Sequence, residues 1–122
     1  MNEKWDLNLS DLKTIFQFKP NKTNAEKIFD LLNKNVFFGM CPKFDKIKMV
    51  EVDGWYGQVS YQNGWLLEIN SKYNKKLSVF IGTMAHEMIH RIQAKLGRPL
   101  VENDELFSAF SNIFKRMRIN IR

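Results

Sequence analysis

LSVFIGTMAHEMIHRIQAKLG, residues 77–97, decides how this chain is read. Within it His86, Glu87, Met88, Ile89 and His90 form an HExxH stretch. Residues four apart on a helix share a face, with Cβ atoms about 5–6 Å apart. Two imidazoles so placed reach one metal ion, and zinc accepts their nitrogens while leaving a position open for water. Glu87, beside the first histidine, then serves as general base toward that water. The competing reading is two histidines satisfied within a helix. Against it, the chain's only two histidines both fall in the motif.

The surrounding helix has an apolar back, Leu77, Phe80, Ile81, Met84, Met88 and Ile92. Val79, Gly82, Thr83, His86, His90 and Gln93 take the opposite face. Asn74 is the expected N-cap and Gly97 the expected stop. Gly82 costs about 1 kcal/mol relative to alanine in a helix, which implies a close approach or room for a ligand on the histidine face.

Working outward, three strands precede this helix. Ile47, Met49 and Val52 mark the first. Trp55, Gly57, Val59 and Tyr61 alternate with polar positions in the second, and Trp65, Leu66, Leu67 and Ile69 mark the third. Asp53-Gly54 and Asn63-Gly64 separate them, dipeptides that favour hairpin turns. The expectation is a three-stranded antiparallel meander. Before it, Thr23 and Glu26 read as a capping box for a helix over residues 24–33, with Ala25, Ile28, Phe29 and Leu32 as its stripe. A shorter helix, capped by Ser10, is expected from Leu9, Leu12, Ile15 and Phe16. After the HExxH helix, Leu106, Phe107, Phe110, Ile113, Phe114 and Met117 predict an amphipathic helix over 104–117.

The chain has 122 residues, 44% of them hydrophobic and 13% aromatic. That is the size and make-up of one folded domain, spanning 1–122. Its fold class is α+β. The single cysteine, Cys41, excludes an intramolecular disulfide and a cysteine-rich zinc ribbon, and fits a reducing compartment. The first ten residues lack the apolar core of a secretory signal, and no apolar run reaches membrane-spanning length. A cytoplasmic protein without a membrane partner is expected. Nineteen basic against thirteen acidic residues give a net charge of +6, which favours polyanions such as nucleic acid.

Catalytic zinc normally takes three protein ligands, and no third histidine exists. A carboxylate must complete the site, and Glu102, Asp104 and Glu105 are the acids just beyond the helix. Further groups should orient the imidazoles; the sequence does not name them, though Glu105 and Thr83 are near the histidines in the chain. The available phenols, Tyr56, Tyr61 and Tyr73, have no assigned role.

The order of elements and the HEMIH form of the motif resemble the SprT-like (Spartan-type) zinc metallopeptidases over residues 24–117. That family carries a third histidine in an H-G-x-x-[FW] stretch at the start of the next helix. Matched from Gly97, Glu102 falls on that third-ligand position, Asn103 on the glycine and Leu106 on the aromatic. A shift by one places Phe107 on the aromatic and Asn103, a poor zinc ligand, on the histidine. The missing histidine is a departure from the family. The resemblance implies a zincin-like fold and a zinc-dependent endopeptidase. His86, His90 and Glu102 are then the metal ligands and Glu87 is the catalytic base. It further implies substrates among DNA-associated proteins, for which Lys95, Arg98, Lys115, Arg116, Arg118 and Arg122 are candidate phosphate contacts. A minimal domain of this kind suits a compact bacterial or phage genome, acting in the host cytoplasm if viral. The rival readings are a catalytically degenerate member that binds nucleic acid or protein, and a structural protein in which zinc serves stability.

Overall fold

Helix α1 spans Lys22–Asn35, and the computed structural model describes the protein from residue 19 to residue 121. The expected helix around Leu9–Phe16 lies outside the described residues. After α1 come β1 (Lys46–Val50), β2 (Gly57–Tyr61), β3 (Trp65–Asn70), α2 (Leu77–Lys95) and α3 (Glu105–Arg116). The described residues thus form an α+β fold of three helices and one three-stranded mixed sheet. None of the helices is long and apolar enough to cross a membrane.

The sheet departs from the expected meander. Its order is β1-β3-β2, with β1 parallel to β3 and β2 antiparallel to β3. Asn63-Gly64 does form a hairpin, both residues at positive φ, between Tyr61 and its partner Trp65. Asp53-Gly54 does not. Strands β1 and β2 are separated by β3, a distance of about 10 Å, which a two-residue turn cannot cover. Residues 51–56 instead cross over the end of β3. Asn70, the last residue of β3 and fully buried, organises that crossing. Its amide nitrogen donates to Val52 O at 2.6 Å and Trp55 O at 2.8 Å, and its oxygen accepts from Val52 N at 3.3 Å. Gly54 takes its positive φ within this crossover, where its N–H donates to the Tyr73 hydroxyl.

The capping box at the start of α1 is also replaced. Asn21 is the N-cap, accepting from Asn24 N at 2.8 Å, so Thr23 and Glu26 lie inside the helix. Asn74 is not the cap of α2. It is buried, donates to Asn70 O and Tyr56 O, and accepts from the Thr83 hydroxyl at 2.6 Å. Lys76 occupies the N-cap position with no side-chain cap. Gly97 stops the helix as expected: at φ +70 it lets Arg98 N bond Gln93 O and Gly97 N bond Ala94 O. That pair of bonds is the Schellman pattern, which satisfies two orphan carbonyls and turns the chain back.

Helix α2 is the centre of the molecule. Twelve of its residues are buried, from Phe80 through Gln93, on more than one face. Phe80, Ile81, Met84, Met88 and Ile92 join Ile28, Leu32, Leu67 and Ile69 in one core. Phe37 closes the core against α3, its ring 4.8 Å from Phe110 and 5.7 Å from Phe114. The face of α2 that carries the histidines is covered as well, by β2 and by the segment that leads into α3.

Candidate metal centre

His86 and His90 lie one turn apart on α2, and their rings meet edge to face with centroids 4.7 Å apart. Their Nε2 atoms are 3.0 Å from each other. The turn at Gly97 brings Glu102 back to them, and one ligand atom from each of His86, His90 and Glu102 lies within 4.8 Å of the others. Phe107, at the start of α3, walls the pair with its ring 5.1 Å from His86 and 5.3 Å from His90. The other two acids of this segment are placed differently. Asp104 is the N-cap of α3, accepting from Leu106 N, and pairs with Arg98 at 2.7 Å. Glu105 is exposed in the first turn of α3.

The donor set fits a zinc ion: two imidazole nitrogens and a carboxylate, converging at the mouth of a buried face. The close approach of the imidazoles fits it too. Two imidazole nitrogens 3.0 Å apart share either a proton or a cation. His86 Nδ1 is buried without a hydrogen-bond partner in either case, so it does not distinguish the two.

Glu87 is 3% exposed, with Oε2 at 3.9 Å from His86 Nε2. Burial, reinforced by the Glu102 charge, pushes its carboxyl up to about 8. Burial, helped by His90 and opposed by Glu102, pulls the His86 imidazole down to about 4. Both groups are therefore neutral at pH 7 in the metal-free pocket, and a neutral imidazole is the form that binds metal.

Two residues named in the sequence only as a strand position and a helix-face position shape this site. Gly57 on β2 lies against α2: a Cβ there would stand 2.8 Å from Thr83 Cγ2, 3.2 Å from Glu68 O and 3.3 Å from Glu87 Cγ. The close approach expected at Gly82 thus has a counterpart on the strand, and the signal was a glycine inside an otherwise alternating strand. Gln93, three residues after His90, places Oε1 2.7 Å from His90 Nδ1. Neither Thr83 nor Glu105 takes that role, since the Thr83 hydroxyl is spent on Asn74 and Val79 O. Tyr73 clasps the crossover through Gly54, and Tyr61 packs edge-on to Trp65 at the far end of β2. Cys41 is buried, its thiol pushed up to about 12 by burial, and its backbone pairs twice with the Asn33 side chain.

No family model matches this chain, and neither the curated proteins nor the solved structures contain a match.

Proposed function

We propose that the protein is a zinc-dependent endopeptidase with a zincin-like arrangement, of the kind that the SprT-like resemblance implies. The observation that carries this reading is the convergence of His86, His90 and Glu102 beside the buried carboxyl of Glu87. His86, His90 and Glu102 are the residues that would hold the metal. The chemistry zinc would supply there is polarisation of the scissile carbonyl and a lowered pKa for water. Burial holds Glu87 protonated in the metal-free pocket, and the positive charge of a metal beside it would favour the carboxylate, the form that accepts the proton of the attacking water and delivers it to the departing amine. A carboxyl raised from its ordinary range toward neutrality is suited to both transfers. Phe107, packed on both imidazoles, limits the entry of bulk water around them. Among the described residues β2 pairs only with β3, so its outer edge offers backbone groups to an extended peptide.

Substrates associated with DNA are supported by the net charge of +6 and by Lys95, Lys115, Arg116 and Arg118, all exposed near the end of α2 and along α3. Arg98 is committed to Asp104, and Arg122 is outside the described residues. The test is paired. Metal analysis of protein purified without chelator is expected to give about one zinc per chain. Glu87→Gln is expected to retain that zinc and to lose hydrolysis of an unfolded protein substrate. Zinc binding without hydrolysis by the wild-type chain would support the degenerate binding module instead. No zinc uptake would remove the enzyme reading.

A further inference from the structure

We propose that Gln93 is the positioning residue of the metal centre: one buried amide fixes the His90 tautomer and fastens the loop that carries Glu102. This rests on the metal-binding reading above and deepens it. Gln93 is fully buried and makes three contacts with different parts of the fold. Its Nε2 donates to Val101 O at 2.8 Å and to Asp104 Oδ2 at 3.2 Å. Those two bonds use both amide hydrogens, because carbonyl and carboxylate oxygens only accept. Oε1 is therefore the atom that faces His90 Nδ1 at 2.7 Å, and it accepts. Nδ1 must then carry the imidazole proton, which leaves the lone pair on Nε2, the atom turned toward His86.

The same amide acts on the third ligand. Val101 and Asp104 bracket Glu102 in the chain, so the two donated bonds hold the loop on either side of it. Asp104 passes the restraint on, since it also caps α3 through Leu106 N and binds Arg98 Nη1 at 2.7 Å. Glu102 itself is exposed and needs this support more than the histidines, whose helix is embedded in the core. A single side chain therefore sets the spacing between a helix-borne ligand and a loop-borne one. Groups that orient metal ligands in this way are typically worth 10–100-fold in metal affinity.

Three measurements test the role of Gln93. Long-range proton–nitrogen NMR of the zinc-loaded wild-type chain is expected to find His90 with its proton on Nδ1 and Nε2 unprotonated. A proton on His90 Nε2 overturns the assignment and needs no variant to observe. Gln93→Met, which keeps volume and removes all three bonds, is expected to weaken zinc about 10–100-fold. It should also alter the visible spectrum of the cobalt-substituted protein, a readout that loss of stability alone does not move. Gln93→Glu keeps an acceptor for His90 but loses both donors to the loop. Its cost in zinc affinity is expected in the wild-type background and absent in a Glu102→Ala background. Equal costs in the two backgrounds overturn the link to Glu102. A wild-type chain that binds zinc, with Gln93→Met binding it as tightly, overturns Gln93 alone. A wild-type chain that takes up no zinc overturns the metal reading, and this inference with it.

Discussion

Replacing one carboxyl oxygen of Glu87 by an amide nitrogen, Glu87→Gln, should change how the metal-free protein responds to pH. The Glu87 carboxyl is raised from 4.5 to about 8, so the folded state holds a proton that the unfolded chain releases. Its contribution to stability is fully present below pH 4.5 and is lost as pH rises to 8. Each pH unit corresponds to about 1.4 kcal/mol, so the whole span amounts to about 5 kcal/mol. His86 works in the other direction. Lowered from 6.5 to about 4, it contributes stability that is present above pH 6.5 and lost as pH falls to 4. Between pH 4.5 and 6.5 the two slopes oppose one another and cancel. Above 6.5 the His86 slope has ended while that of Glu87 continues, and stability should fall by about 2 kcal/mol up to pH 8. That is a large share of the 5–15 kcal/mol typical of a domain. Glu87→Gln cannot ionise, so its stability should stay level from pH 6.5 to 8 and fall below 6.5. Urea titrations of both chains with chelator present, at pH 5, 6.5 and 8, measure this directly. Parallel pH profiles for the two proteins would refute the reasoning, because they would mean that Glu87 is ionised and solvated in the fold.

Other substitutions probe the rest of the site. Glu102→Ala should cost far more zinc affinity than Glu105→Ala, and Glu102→His should retain zinc; equilibrium competition with a chromogenic chelator reads all three. Gly57→Ala places a methyl group 2.8 Å from Thr83 Cγ2 and should destabilise the chain by about 1–3 kcal/mol in chemical denaturation. Asn70→Leu leaves Val52 O and Trp55 O without their donor and should cost at least about 2 kcal/mol by the same measurement. DNA binding should weaken steeply with salt, and Lys115→Gln with Arg116→Gln should lower the slope of log affinity against log salt by about 1–2.

The three helices of the described residues were legible because apolar residues recur with helical spacing, and because Gly97 carries its stop signal locally. The ends governed by longer-range partners were not. Asn74 has the right chemistry for a cap, but the Asn70, Tyr56 and Thr83 contacts claim its side chain. At α1 the cap is Asn21, two residues before the expected Thr23. Strand existence was legible, whereas strand order was not, because Asp53-Gly54 carries the same local preference in a crossover as in a hairpin. What separates the two cases is Asn70, an amide at the end of a strand with nothing in its neighbours to mark it. Within the site, the motif itself brings His86 and His90 together through helix geometry. The Gln93 contacts depend on the return of residues 98–104, which no helical spacing encodes.

The crossover also bears on the order in which the chain assembles. Strands β2 and β3 are joined by a short turn, and such hairpins close in about 1–10 μs. Strand β1 precedes both in the sequence yet docks against β3, in register Lys46 with Leu66 through Val50 with Asn70. It has no neighbour to pair with until the later strand exists, and its loop can close only over the finished end of β3. A nascent chain emerging from a ribosome would therefore hold β1 unpaired until Asn70 had been made. Its exposed backbone is guarded meanwhile by Lys46 and Lys48, charges that discourage pairing with another copy of the chain.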